Sequence, residues 1–233
     1  MTSVVLRKWS KGVYRNLPNI VSILGVVPLS LLLLEDGFTY LPALIIYNNF
    51  MDDLDGILAR KMRLSSDFGA RLDNVADAVS HILITLVVGA HYRGIVLAFS
   101  VLAAAAILIR VVQRLGPSPA SGTGTPTNEL MRHLLLLVVL QNAFAFDITG
   151  YLVAAFLLNA VSMLVPFNMA HLVRARAKTV AAVLGVNAAL AVAWGVPVTS
   201  PFVAAAFFGT YLYSFAVSGF VWLRGSFSSR ASD

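Results

Sequence analysis

The chain has 233 residues, of which 58% are apolar and only 12% charged, about half the roughly 25% of soluble globular chains. That balance excludes disorder and a conventional cytosolic enzyme, because so few polar groups cannot cover a folded surface and much of it must face lipid. The absence of Cys excludes a disulfide framework, a thiolate metal site and a cysteine nucleophile, while the net charge of +6 takes its meaning from where the basic residues lie.

Apolar runs near the roughly 20-residue length that crosses a bilayer predict eight membrane-spanning helices. In chain order they are Leu17–Leu34, Phe38–Leu58, Phe68–Ala90, Ile95–Leu115, Leu130–Phe146, Tyr151–Val173, Val180–Val196 and Phe202–Leu223. The first contains Pro28 and leads to no small-residue cleavage site, so it reads as a retained helix rather than a signal peptide. Basic residues alternate between the connections. Arg7, Lys8, Lys11 and Arg15 precede the first run; Arg60, Lys61, Arg63 and Arg71 surround the second connection; Arg110, Arg114 and Arg132 the fourth; Arg174, Arg176 and Lys178 the sixth; Arg224 and Arg230 end the chain. The other connections hold Arg93, Glu35, Asp36 and Asp147. Because cytoplasmic flanks carry the basic excess, both termini are predicted cytoplasmic, and the positive charge faces anionic headgroups rather than nucleic acid. The expected chain is therefore an all-α, polytopic membrane bundle: a basic segment over 1–16, a transmembrane catalytic domain over 17–223 and a cytoplasmic tail over 224–233. Residues 116–128, rich in Gly, Pro, Ser and Thr, read as a flexible connector. No internal repeat is visible, which weighs against the inverted-repeat plan of many transporters.

Acidic residues mark the chemistry. Six of the eleven fall between Asp52 and Asp77, inside the second and third runs and their connection, where charge is costly and normally serves a site. Asp52 and Asp55 are three apart, and Gly69, Asp73 and Asp77 follow in steps of four, so each set shares one helix face. A short basic connection lets the two faces meet. Carboxylates converging on one gap repel unless divalent cations neutralise them, and hard oxygen ligands suit Mg2+, Mn2+ or Ca2+. Gly56 and Gly69 remove side chains where a ligand needs close backbone approach or where helices pack tightly, and Arg60 can hold a phosphate, pair with a carboxylate or contact headgroups.

The spacing Asp52-x2-Asp55-Gly56-x2-Ala59-Arg60-x8-Gly69-x3-Asp73-x3-Asp77 resembles the signature of the CDP-alcohol phosphatidyltransferase family. Eight fixed positions coincide by chance with a frequency on the order of 10⁻¹⁰ per starting position at average residue usage, which rules out accident. The resemblance implies a transferase in which an acceptor hydroxyl attacks the phosphatidyl phosphorus of CDP-diacylglycerol and displaces CMP. It implies that Asp52, Asp55, Asp73 and Asp77 hold two divalent cations, Mg2+ or Mn2+, that Asp77 also deprotonates the acceptor, and that Gly56, Ala59, Arg60 and Gly69 line the CDP site. A homodimer in the cell's inner membrane, with its active site facing the cytoplasm, is implied in the same way. Asp53 and Asp67 fall outside the signature and read as solvated or charge-pairing residues.

Residues Ser66 to Ser80 are most similar to the membrane-embedded phosphatidylserine synthases of the family, which makes L-serine the expected acceptor. Asn74 and Val75 replace the usual Ser-Leu there, and His81-Ile82 replace Phe-Gly. Glycerol 3-phosphate, inositol, inositol phosphate and choline are the alternative acceptors. Arg110, Arg114 and Arg132 suit either an acceptor anion or positive-inside anchoring, and His81 either tunes Asp77 or lines a helix. A cation- or proton-coupled transporter would also cluster carboxylates in membrane helices, but its site belongs near the midplane rather than beside a basic connection.

Overall fold

The computed structural model describes residues 12–116, 126–167, 169 and 179–230, the last six for their backbone only. Among the described residues there are helices and turns but no strand. The described residues form eight helices of ten residues or more: α1 (Leu17–Val26), α2 (Leu41–Lys61), α3 (Asp67–Tyr92), α4 (Gly94–Leu115), α5 (Pro126–Phe144), α6 (Thr149–Leu164), α7 (Val180–Gly195) and α8 (Ser200–Arg230). Each expected apolar run carries one of them. Arg7, Lys8 and Lys11, the connector residues 117–125, the basic cluster Arg174, Arg176 and Lys178, and residues 231–233 lie outside the described residues.

Prolines set several helix ends. At Pro28, α1 gives way to a 3-10 stretch, Val27–Leu33, because the ring lacks an N–H and crowds the preceding turn. α6 stops at Leu164, well short of the expected Val173, since Val165 stands before Pro166 and is extended at φ −69° and ψ 146°. Pro126 does the opposite. It lies inside α5, which reaches at least four residues before the expected Leu130, so Pro126, Thr127 and Asn128 form a buried helical turn, not the end of a loop. In the α5–α6 connection, the Thr149 amide donates to Asp147 Oδ1 at 2.9 Å, and this bond holds the carboxyl below its ordinary pKa.

α5 is the centre of the bundle. Every residue from Pro126 to Val139 is buried, the run 134–139 by its apolar side chains and Asn128, Glu129 and Arg132 with polar partners, and α2, α3, α6, α7 and α8 surround it. α3 packs along α4, α4 along α6, and α1 rests in contact with both α2 and α3. The outer faces are greasy: Leu108 and Val112, one turn apart on α4, are 55% and 63% exposed, as suits a lipid-facing surface. α3, α4 and α8 with its preceding turn (Pro197–Arg224) are long and apolar enough to cross a membrane. α1 with its 3-10 continuation, α6 and α7 are apolar but shorter; sixteen residues rise about 24 Å, short of the ~30 Å hydrocarbon core. α2 is long enough, but it carries Asp52, Asp53, Asp55, Arg60 and Lys61.

Candidate functional site

The turn between α2 and α3 brings the acidic faces together. Leu64 N donates to Ala59 O at 2.9 Å and Arg63 N to Arg60 O at 3.3 Å, with Arg63 left-handed at φ 56°: a Schellman ending, which satisfies the last carbonyls of α2 and reverses the chain. Ser66 then caps α3 by accepting from Gly69 N at 3.0 Å, and Asp67, exposed in the first turn, complements the positive end of the helix.

This geometry collects Asp52 and Asp55 from α2 with Asp73 from α3. One carboxylate oxygen from each lies within 4.8 Å of the others. Asp52 and Asp55 are only 8% and 5% exposed, where carboxylates are rarely found without compensation. At an effective dielectric of about 20, two such charges ~5 Å apart repel by about 3 kcal/mol, and a cluster of hard oxygen donors relieves this by holding a divalent cation. The three residues fit such an ion. Asp77 stands outside the cluster, one turn further along α3, in the wall of the same gap with Asn48 and Ser80.

Two neighbouring spaces open from the cluster. Towards the α2–α3 turn lies a cleft lined by Asp55, Gly56, Ala59, Gly69 and Asp73, with Asn19 and Ser22 contributed by α1. A Cβ on Gly69 would lie 3.1 Å from Asn19 Oδ1, and one on Gly56 would lie 3.2 Å from an Arg60 guanidinium nitrogen. Both glycines thus let polar groups approach the helix backbone. Arg60 itself is exposed and folds back over Gly56. On the other side of Asp77 is a smaller cavity bounded by Asn74, His81, Arg110, Arg114 and Thr127.

The three arginines therefore part company. Arg110 and Arg114 line the cavity beside Asp77, whereas Arg132 is buried in the bundle, bound to Glu129 Oε1 at 2.7 Å, donating to Asn49 Oδ1 at 3.4 Å and lying over the Phe207 ring at 5.5 Å. Asp53, set aside as solvated or pairing, accepts from Asn187 Nδ2 at 3.2 Å. Sequence reasoning missed Ser22, whose hydroxyl donates to Asp55 Oδ2, and Asn128, whose Nδ2 donates to Asp52 Oδ2 at 3.1 Å. Ser22 sits in an apolar run with no local signal. Asn128 stands at the end of the stretch read as connector, and the Pro126 helix-start signal was the available clue.

An uncharacterized protein of Aquifex aeolicus (strain VF5) is 36% identical over 87 residues, 35% of this chain and 43% of that relative. The chain thus spans less than half the length of that curated relative. No solved structure matches. The sequence model of the CDP-alcohol phosphatidyltransferase family matches residues 15–158, a stretch running from before α1 into α6 and containing the aspartate cluster and both neighbouring spaces. Members of that family transfer phosphatidyl groups and use divalent cations, and three of the helices here are fit to cross a membrane. By the extent of that match this membrane protein belongs to the CDP-alcohol phosphatidyltransferase family.

Proposed function

We propose that the protein moves the phosphatidyl group of CDP-diacylglycerol to the hydroxyl of a small polar alcohol, L-serine, with release of CMP. The observation that carries this reading is the meeting of the Asp52, Asp55 and Asp73 oxygens within 4.8 Å, between a glycine-lined cleft and a cavity that joins Asp77 to two arginines.

Gly56, Ala59 and Gly69 leave room for the CDP moiety to approach the backbone, and Arg60 offers a guanidinium to a phosphate oxygen. Asp52, Asp55, Asp73 and Asp77 would hold two divalent cations, Mg2+ or Mn2+, which when bound supply charge neutralisation at the diphosphate and the leaving phosphate. Asp77 accepts the proton of the acceptor hydroxyl as that oxygen bonds to the phosphatidyl phosphorus. The bond from this phosphorus to the bridging oxygen breaks, and CMP departs with that oxygen. Arg110 and Arg114 beside Asp77 suit an acceptor bearing a carboxylate, and the likeness of Ser66 to Ser80 to serine synthases favours L-serine.

The alternation of basic residues supports eight spans, with both termini and the active site on the cytoplasmic side of the inner membrane. In that arrangement a water-soluble acceptor reaches Asp77 from the cytoplasm while acyl chains stay in lipid. The catalytic unit is residues 17–223, flanked by the segments 1–16 and 224–233, and family resemblance supports a homodimer.

The test is product identity. Purified protein in mixed micelles with CDP-diacylglycerol and Mg2+ or Mn2+ is offered L-serine, glycerol 3-phosphate, inositol, inositol phosphate or choline, and the lipid product is identified by mass spectrometry. Phosphatidylserine is expected. A different phospholipid would replace the acceptor and keep the chemistry; no lipid product from folded protein would overturn the reading.

A further inference from the structure

α7 carries one side-chain amide in an otherwise apolar helix. From Val180 to Gly195 it is built of Ala, Val, Leu and Gly, with a Trp in its last turn, apart from Asn187. A buried amide is costly there unless both of its ends are used, and Asn187 uses both on α2: its Oδ1 accepts from Asn49 Nδ2 at 2.9 Å, and its Nδ2 donates to Asp53 Oδ2 at 3.2 Å. The second hydrogen of Nδ2 goes to Val183 O at 3.0 Å, one turn back on α7, which fixes the plane of the amide. Asn49 is also held by Arg132 of α5, and Asp53 keeps further contacts of its own. The family match ends at residue 158, within α6, so the bridge from α7 comes from a part of the chain beyond it.

Asn49 and Asp53 are one turn apart on α2, the helix that carries Asp52 and Asp55. At about 100° per residue, the pair Asn49 and Asp53 faces roughly 110° round the helix from the pair Asp52 and Asp55. Side chains reach about 5–6 Å from a helix axis, so turning α2 by about 10° would carry the two carboxylates by ~1 Å, several times the ~0.2 Å within which metal–ligand distances hold. Polar side chains also serve as plain glue between membrane helices, where one contact to any neighbour is enough. A grip on two successive turns of the aspartate-bearing helix does more, because it fixes how that helix is rotated.

We propose that Asn187 is a positioning residue of the metal site: by gripping Asn49 and Asp53 it sets the rotation of α2 at which Asp52 and Asp55 lie within reach of Asp73. The proposal rests on the reading that these three aspartates hold a divalent cation. α7 thereby contributes to the cation's affinity without offering it a ligand.

The test compares Mn2+ affinity with stability. Electron paramagnetic resonance reads free Mn2+ over purified full-length protein in detergent micelles, for wild type, Asn187→Leu, Asn187→Ser, Asn187→Gln and Leu190→Ala, beside the melting temperature of each. Leu190 is fully buried on α7, three residues after Asn187 on the same face, so truncating it loosens the same helix without touching the amide bridge. Asn187→Leu keeps the size of the side chain and loses its hydrogen bonds; it should weaken Mn2+ about tenfold, the lower end of the effect of removing a group that orients metal ligands. Asn187→Ser leaves a hydroxyl too short to reach both partners and should shift the affinity in the same direction, which answers the question if Asn187→Leu does not fold. Asn187→Gln, with donor and acceptor retained, should bind Mn2+ more tightly than either. Leu190→Ala should lower the melting temperature and leave Mn2+ affinity unchanged. Unchanged Mn2+ affinity in the folded Asn187 variants, or an equal loss in Leu190→Ala, would reduce α7 to packing and overturn the proposal, and folded wild type that binds no Mn2+ would overturn it together with the metal reading. Mn2+ affinity that depends on Asn187, without CMP release for any acceptor, would uphold this role while removing the transferase reading.

Discussion

Asn128, in the first turn of α5, donates from Nδ2 to Asp52 Oδ2 on α2 at 3.1 Å, across 76 residues of sequence. Both side chains are buried. The bond fixes which lone pairs of Asp52 remain for an ion, and removing a partner of this kind typically costs about 10- to 100-fold in metal affinity. Asn128→Ala is therefore expected to weaken Mn2+ binding about tenfold or more, read by electron paramagnetic resonance on purified protein, with the helical circular dichroism retained. Unaltered Mn2+ affinity would show that Asp52 is held without Asn128.

Asp77 lines both the gap beside the aspartate cluster and the arginine cavity, the position required of a base between donor and acceptor. Asn at this position keeps the shape and cannot take the proton. Turnover by Asp77→Asn should fall about 10²- to 10⁴-fold, the usual contribution of general acid–base catalysis, with folding intact. Wild-type CMP release by the variant would remove Asp77 from that role.

Arg132 and Glu129 form an ion pair in which both side chains are 1% exposed. Deleting one partner strands the other charge, a loss of about 3–5 kcal/mol for buried pairs. Arg132→Leu should therefore lower the melting temperature and the folded yield, and the double change with Glu129→Leu should recover part of the loss. Arg110→Ala should instead raise the acceptor KM without loss of stability. Arg132→Leu with full stability and a raised acceptor KM would contradict this division of labour.

α3 and α4 touch at Gly89, where a Cβ would lie 1.9 Å from Ser100 Oγ and 2.5 Å from Ser100 Cβ. Gly89→Ala should cost about 1–3 kcal/mol, as overpacked cores do. Adding Ser100→Gly vacates the space, so the pair should be less unstable than the sum of the two single changes in a thermal-unfolding double-mutant cycle.

Local periodicity carried most of what was legible in the sequence. Steps of three and four place Asp52 with Asp55 and Asp73 with Asp77 on shared helix faces, and the structure brings three of these four carboxylates within reach of one another while Asp77 lines the same gap one turn further on. Contacts across helices were not legible. Ser22 meets Asp55 over 33 residues and Asn128 meets Asp52 over 76, and one sequence holds no signal for such pairings. Proline acts in two ways that composition does not separate: Pro126 lies in a helix where composition points to a loop, whereas Pro166 follows the end of one that hydropathy extends. The place of Arg132 near a membrane flank suggests an anchor or an acceptor ligand, whereas Glu129, three residues earlier on the same helix face, is its partner.

The central claim is that the aspartate cluster of α2 and α3 serves phosphatidyl transfer from a CDP-lipid. Its most direct test is CMP release from CDP-diacylglycerol by purified protein in mixed micelles, with and without Mg2+ or Mn2+ and each acceptor, beside Asp55→Asn. CMP release that requires both a divalent cation and an acceptor, and that Asp55→Asn lowers at least a hundredfold, is the predicted result. Absence of CMP release from folded wild-type protein with every acceptor, or release that needs no divalent cation, would contradict it.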